Sequence, residues 1–494
     1  MMHEHGKSDR RKVPAKFANK GGANTPAERD GGKAADRGKH GKQNTARTQK
    51  AANAVPSALD RVRKIAKSDK KMQFTNLMHH ISNIDRLRAS YFAMKKSAAA
   101  GVDNETWASY GENLEDNLQS LHERLQKGGY RAKPVRRVFI AKADGKQRPL
   151  GVPVLEDKIV QKSTVEVMNA IYETDFLGIS YGYRPGKGQH NCLDALYVGL
   201  LTRKVNWVLD ADIRGFFDNL SHDWLIKFIE HRVGDKRVIR LIQKWLKAGV
   251  MIDGRRHETD EGVPQGGSIS PLLANIYLHY VLDLWAQQRR QNKSLGEMII
   301  VRWADDFVVG FEHKSQAEKF LADLKERMLK FSLELHPEKT RVFEFGPFAT
   351  NNRKKRGLGK PETFGFLGFT HICAKKRSNG MYTVLRRTIR KKMKAKLQEL
   401  KAAMKRRMHH PVPNQGKWLK SVVEGHNRYY GVPSNQHSLA SFRFEVVARW
   451  YWSLRRRSQT RRLTWEQMIR LANHWLPPPT LHHPYPLRRL GVIT

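Results

Sequence analysis

Two apolar runs are joined with almost nothing between them at Met298-Ile-Ile-Val-Arg-Trp303-Ala-Asp305-Asp306-Phe-Val-Val-Gly310. β-branched and aromatic residues on both sides predict two strands, and the short polar join predicts a β-hairpin with carboxylates at its tip. Taken alone, adjacent aspartates in a tight turn read as turn chemistry, because Asp is common there. Strands this apolar are expected to be buried, however. Two carboxylates held side by side between buried strands repel each other unless a cation compensates them.

A second segment offers a partner for them: Trp207-Val-Leu-Asp210-Ala-Asp212-Ile-Arg-Gly-Phe-Phe217-Asp218. An apolar run leads into a strand, and a regular strand puts Asp210 and Asp212 on one face. By itself Asp212 reads equally well as an acidic residue at a strand end. Combined, the two segments could complete a two-metal site of the kind polymerases use. One ion would lower the pKa of a primer 3′-hydroxyl, and both would hold the phosphoryl charge as pyrophosphate leaves. Oxygen ligands and phosphate substrates favour two Mg²⁺ ions, with Mn²⁺ as a substitute.

The charge balance supports a polyanionic partner. The chain has 91 Lys and Arg against 47 Asp and Glu, a formal charge of +44. A compact chain with that imbalance repels itself without a polyanion. No apolar run is long enough to span a bilayer, and no apolar segment follows the basic N-terminus as a signal peptide would require. Nucleic acid is therefore the expected partner rather than a membrane, and the expected location is the cytoplasm, associated with the nucleoid in a bacterium. Cys192 and Cys373 stand alone and far apart, which excludes a disulfide framework and any Cys-based zinc site.

Residues 1–57 are basic and nearly free of large apolar residues, which predicts a disordered tail. It is either a solvated tail without function or an arm that adds nucleic-acid affinity without sequence preference. Helical periodicity runs from Ala58 through Met78, Ile81, Ile84 and Leu87, and again over Leu114 to Leu125. This predicts a helical N-terminal extension over 58–134. From Val135 short strands appear, with Val138 to Ile140 and Gln147 to Val152 forming a hairpin around Ala143-Asp144-Gly145. The stretch 135–375 mixes strands and amphipathic helices, an α+β pattern. Pro264 and Pro271 bracket a Gly-rich turn, after which Leu272 to Leu284 is helical.

Beyond Tyr382, Ile389, Met393, Leu397, Leu400 and Met404 recur at helical spacing. Arg390, Lys391, Lys394 and Lys401 take the remaining faces. Such a helix is either a solvated surface or a track for a phosphate backbone. From Val446 the chain interleaves Trp450, Trp452 and Trp465 with Arg455, Arg456, Arg457, Arg461 and Arg462, before Pro477 to Pro479. That pattern suits nucleic acid, although several of these Trp residues must fill a small core.

With these segments in place, the chain resembles the group II intron reverse transcriptase/maturase family from about Ala58 to Thr494. The motifs occur in family order. Arg148-Pro-Leu-Gly-Val-Pro153 and Leu155-Glu-Asp-Lys-Ile-Val-Gln161 come first. Tyr181-Gly-Tyr-Arg-Pro-Gly186 and Asp212-Ile-Arg-Gly-Phe-Phe217 follow. Gly262-Val-Pro-Gln-Gly-Gly-Ser-Ile-Ser-Pro271 leads into Leu272-Leu-Ala-Asn-Ile-Tyr277, and then comes Trp303-Ala-Asp-Asp306. His336-Pro-Glu-Lys-Thr340 and Phe364-Gly-Phe-Leu-Gly-Phe369 close the series.

The resemblance implies a right-hand polymerase of α+β class. Fingers and palm would occupy 135–375, an all-α thumb or maturase domain 376–445, and a small helical DNA-binding segment 446–494. Asp212 and Asp305 would be metal ligands, with Asp306 completing the cluster and the Ile213 carbonyl a further ligand. Phe217, five residues after Asp212, would be a steric gate against a 2′-hydroxyl; its other reading is a buried core aromatic. Gln265 would lie along the incoming nucleotide, with Lys142 and Arg148 clamping its triphosphate. Lys339 would protonate pyrophosphate or stand as a surface turn lysine. Arg184 and Lys187 would contact template, and Trp303 would replace the family's Tyr or Phe beneath the primer end. Arg390, Lys394, Arg455 and Arg456 would contact nucleic acid.

Implied partners are intron RNA, an RNA template with a DNA primer, target DNA and deoxynucleoside triphosphates; oligomeric state is left open. The family's zinc-binding cysteines are missing, so a His-Asn-His nuclease and second-strand cleavage are not expected. Two other roles compete with the intron-copying polymerase. One is an RNA-binding splicing cofactor with an idle site, and the other is a reverse transcriptase recruited to antiviral defence.

Overall fold

The computed structural model describes residues 58–141, 147–252, 255–258, 261–292, 296–457 and 463–489. The basic tail, Lys142 and the expected turn at 143–145 lie outside the described residues.

The hairpin read from Val138 to Val152 is present as β1 (Val135–Ala141) and β2 (Gln147–Val152), with Ile140 opposite Arg148. The apolar run before Asp212 forms β3 (Trp207–Ala211). Then β4 (Val250–Ile252) and β5 (Arg255–His257) form a short hairpin that returns beside β1. The resulting sheet has the order β2-β1-β4-β5. Within this sheet β4 runs parallel to β1, with Val135 opposite Val250. The long chain between them permits a crossover that a tight turn could not make.

The second sheet carries the acidic segments. The predicted hairpin is β6 (Met298–Trp303) and β7 (Asp306–Phe311); with β8 (Arg341–Glu344) and β3 it forms an antiparallel sheet of order β6-β7-β3-β8. Its strands read as continuous apolar runs because both faces are covered. Leu209, Phe307, Val309 and Phe311 pack into the main core with the N-terminal helices. Their alternates Val208, Val301, Val308 and Phe343 face a second core shared with the helix Gln189–Thr202. Period-2 alternation thus divides one apolar run between two cores.

The third sheet is β9 (Phe364–Phe366), β10 (Phe369–Lys375) and β11 (Tyr382–Thr388), in the order β11-β10-β9. It corrects a boundary. The all-α region expected from 376 begins with a strand, because Tyr382–Thr388 pairs with β10 along its whole length, Lys375 opposite Tyr382. Helices follow at Arg390–Arg406, Val412–Tyr430 and Gln436–Arg455, with Leu397, Leu400 and Met404 buried as their spacing predicted. The boundary expected at 445/446 falls inside the helix Gln436–Arg455, whose buried Phe442, Val446 and Trp450 belong to one core.

No helix among the described residues is long and apolar enough to cross a membrane.

Candidate active site

Trp303 pairs with Asp306, so Ala304 and Asp305 form the turn of the β6–β7 hairpin. Ala304 has φ +56°, a conformation that glycine adopts without cost. What holds the alanine there is Arg302, two residues earlier, whose side chain is fully buried. Its Nε donates to Asp283 Oδ1 at 2.8 Å, and Nη2 donates to Asp283 Oδ2 at 2.6 Å and Ser180 Oγ at 2.8 Å. Nη1 donates to Asn275 Oδ1 at 3.1 Å and to the Ala304 carbonyl at 2.9 Å. Every N–H of the guanidinium is used.

The partners reach Arg302 from two directions. Asn275 and Asp283 belong to a helix that passes from Ser270–Leu278 through a π turn, His279–Asp283, into Leu284–Gln291. Arg327 donates to the Tyr280 and Val281 carbonyls within that turn. Asn275 Nδ2 also donates to the Gly182 carbonyl at 2.8 Å. A Cβ on Gly182 would stand 2.4 Å from the Ala304 nitrogen, so glycine is required there. Tyr183, exposed and with φ +59°, follows directly beside the aspartates. Burial and then the Asp305 carboxylate push its phenol pKa up.

Asp212 lies just past the end of β3. A bridge between Ile213 and Leu335 fixes it: His336 N donates to the Asp212 carbonyl and Arg214 N to the Glu334 carbonyl, both at 2.8 Å. In such an antiparallel pair the peptide groups of Ile213 itself turn to the opposite side. Lys339 Nζ donates to Asp212 Oδ2 at 2.5 Å, and this bond raises the lysine pKa.

The carboxylates reinforce one another. Burial, followed by Asp305 and Asp212, pushes the Asp306 carboxyl up to about 7. Asp306 itself still meets solvent at the hairpin edge. Asp305 is likewise raised, by burial first and Asp212 next, while Arg148 and Arg302 pull it down. Asp210 sits on β3 opposite Arg341, and burial pushes it up to about 6. Among the described residues no group of three His, Cys, Asp or Glu side chains is gathered closely enough to hold a metal ion as it stands.

Facing the carboxylates, Arg148 Nε donates to Gln265 Oε1 at 2.9 Å, and Gly151 N donates to the Gln265 carbonyl at 2.6 Å. Gly266, at φ +120°, has the Gly151 carbonyl where a Cβ would sit, 2.4 Å away. Val263 N donates to the Phe217 carbonyl at 2.7 Å. The Pro264-Gln265-Gly266 turn therefore ties the β1–β2 hairpin to the turn that carries Phe217. The Phe217 ring is largely buried, edge-on to Phe216 at 5.3 Å.

One expected contact is corrected. Arg184 is buried, and its guanidinium donates to Glu173, to the Leu177 carbonyl at 2.7 Å and to the Ser180 carbonyl at 2.8 Å. It braces its own loop and is not free to meet a template. Lys187 is exposed over the Tyr181 ring. Arg390, Lys394, Arg455 and Arg456 are exposed as well, and Trp303 is half-buried against the second core. Arg302 escaped the sequence reading because a basic residue inside an apolar strand has no local signal of its partners.

The chain matches the family model for reverse transcriptase (RNA-dependent DNA polymerase) over residues 140–371. It is 35% identical to protein YkfC of Escherichia coli K12 over 280 residues, half of this chain and 73% of that protein. It is 34% identical to the group II intron-encoded protein LtrA of Lactococcus lactis subsp. cremoris over 237 residues, 46% of this chain and only 38% of LtrA. It is also 29% identical to the putative COX1/OXI3 intron 1 protein of Saccharomyces cerevisiae, of which it spans 30%.

Proposed function

Because this chain belongs to the group II intron reverse transcriptase/maturase family and carries its RNA-directed DNA polymerase domain, we propose that it extends a DNA primer on an RNA template. Deoxynucleoside triphosphates are the substrates and pyrophosphate is the product. One observation carries this reading: β3 pairs with β7, Ala211 opposite Phe307, so Asp212 at the end of β3 lies beside the hairpin turn that carries Asp305 and Asp306.

The donor set fits two Mg²⁺ ions, since it is all oxygen and its mutual repulsion calls for cations. Asp212, Asp305, Asp306 and the outward-turned Ile213 carbonyl would hold them. Bound there, the ions supply a more acidic primer hydroxyl and neutralise phosphoryl charge. Arg148 lies across the cleft where a triphosphate enters, and its guanidinium suits bidentate phosphate contact. Gln265, oriented by Arg148 and Gly151, borders the sugar. Phe217 lies beneath that sugar with its ring locked in the core, so a 2′-hydroxyl has no room to displace it. Lys339, whose ammonium donates to Asp212, would be the proton donor for the departing pyrophosphate.

Residues 135–375 act as fingers and palm, the helices from Arg390 as thumb, and the C-terminal helices as a nucleic-acid segment. The RNA copied and bound is the parent intron, whose splicing the protein assists before copying it at a DNA target; the surplus of cations supports this. The test is incorporation of labelled deoxynucleotides on a primed RNA template with Mg²⁺. Tight RNA binding without incorporation would instead favour a splicing cofactor with an idle site.

A further inference from the structure

The strand β6 is an edge of the carboxylate sheet, whose order is β6-β7-β3-β8. Both of its faces are covered, with Met298 and Ile300 in the main core and Ile299 and Val301 in the second. Its outer backbone edge is open. Arg302 N donates to the Ile179 carbonyl at 2.8 Å, and the Arg302 carbonyl accepts from Tyr181 N at 2.9 Å. Backbone groups alternate sides along an antiparallel strand, so Met298 and Ile300 turn theirs the same way as Arg302. Neither has a backbone partner on that side among the described residues.

Ile299, Ile300 and Val301 line the floor of a groove of about 570 Å³, within the range of about 300–1,000 Å³ seen for ligand sites. One wall is the helix Gln189–Thr202, through Ala195, Val198 and Thr202. The other is the helix Leu284–Gln291, through Gln287 and Arg290. Gly199 lets the first helix close on the strand, since a Cβ there would stand 2.7 Å from Ile299 Cδ1. Gly178 also lines the groove, and a Cβ on it would meet nothing within 4 Å. Two features set this groove apart from an ordinary seam. An open edge is usually blunted by Lys, Pro or a bulge, and Met298-Ile-Ile-Val301 has none of them. The charge is also one-sided. Arg203 and Arg290 are exposed and have no acidic partner among the described residues, and no Asp or Glu is among the lining residues.

We propose that this groove docks one extended segment of an acidic partner protein, which pairs with β6 as an added strand. The open edge presents N–H and carbonyl groups in alternation, so its occupant must offer acceptors and donors in a row. A peptide backbone does this. A phosphate backbone offers acceptors only and would leave the Ile300 carbonyl unmet. Arg203 and Arg290 receive carboxylates that flank the paired residues. The two helix walls recess the edge, which keeps it from the equally recessed edge of a second copy and leaves room for a single strand. The partner is thereby held on the strand that leads into the Ala304–Asp305 turn. The proposal does not depend on whether the carboxylates polymerise.

The test uses the full chain and a displayed library of random peptides of about eight residues, selected in the presence of excess RNA. Selection should enrich sequences that alternate apolar and polar residues and carry Asp or Glu. The strongest binder is then synthesised with a fluorescent label. Methylating its two alternate sets of backbone nitrogens in turn, at unchanged charge, should weaken binding at least about tenfold for one set and little for the other. Gly178→Trp, which fills the groove, should abolish binding, and Arg203→Gln with Arg290→Gln should weaken it about threefold. Should Gly178→Trp fail to fold, the methylated peptides decide. Amide exchange at Ile300 should be fast in the free chain and slow with peptide bound. No enriched sequence, equal weakening by both methylated sets, or displacement of the peptide by RNA would overturn the proposal. Slow exchange in the free chain would overturn it as well. It would assign the groove to residues 490–494 if their removal speeds exchange, and to a second copy if dilution does.

Discussion

Lys339 Nζ stands 2.5 Å from Asp212 Oδ2, so a proton donor and a metal ligand of the proposed reaction are bonded to each other. The two roles cannot be filled at once by the same contact. An ammonium on Oδ2 would compete with a cation for Asp212, and a Lys339 freed from Asp212 would be available to a leaving group.

Lys339→Met should therefore move two quantities in opposite directions. The Mg²⁺ concentration for half-maximal extension should fall, because the cation no longer competes with the lysine for Asp212. The maximal rate should drop by about a hundredfold, the usual scale of a lost proton donor. Mg²⁺ titration of single-nucleotide extension measures both. A variant with the wild-type rate would return Lys339 to a surface turn lysine.

Arg302 and Asp283 form a fully buried ion pair at 2.6 Å beneath the Ala304–Asp305 turn. Arg302→Met leaves Asp283 charged and unpaired, and should cost about 3–5 kcal/mol in urea unfolding. Arg302→Met combined with Asp283→Leu should recover most of that stability, because no orphaned charge remains. Extension should stay impaired in the double variant, since the Ala304 carbonyl has lost its donor and the Asp305 turn its anchor. Wild-type extension by a stable double variant would reduce Arg302 to a purely structural residue.

Phe217→Val opens space next to the expected sugar position. Discrimination between deoxy- and ribonucleoside triphosphates, measured as the ratio of kcat/KM values, should fall at least about tenfold. An unchanged ratio would leave Phe217 as a core aromatic only.

His371 is fully buried and stacked on Phe364 at 4.7 Å. Burial, with Arg386 nearby, lowers its pKa to about 3. The unfolded chain takes up this proton near pH 6.5, and the folded chain does not, so stability falls as pH drops from about 6.5 toward 3. Between pH 7 and 5 this one imidazole should account for about 2 kcal/mol of lost stability. Urea midpoints at the two pH values should show a shallower loss for His371→Phe than for the wild type. Equal slopes would mean that the ring is protonated in the fold.

The acidic hairpin, β3 and the β1–β2 hairpin were legible because each is local: an apolar run, a turn and a polar tip lie within a dozen or so residues. The helix Arg390–Arg406 was legible by the same logic, from Leu397, Leu400 and Met404. Arg302 was not. Its role depends on Ser180, Asn275 and Asp283, which converge only after the chain folds, and the π turn that brings Asp283 into place leaves no periodic trace. Arg184 was misread for the same reason. An arginine in a glycine-containing loop looks available for phosphate until Glu173 and two carbonyls are seen to occupy it. β11 was missed because Tyr382–Thr388 is a short, basic edge strand whose only support is its pairing with β10.

The most direct measurement is primer extension on an RNA template with deoxynucleotides and Mg²⁺, comparing the wild type with Asp305→Ala and with RNA affinity measured alongside at fixed salt. The account predicts extension by the wild type, none by Asp305→Ala, and nearly equal RNA affinity, because the cationic surface dominates binding. Equal extension by both proteins, or none by a wild type that still binds RNA tightly, would contradict it.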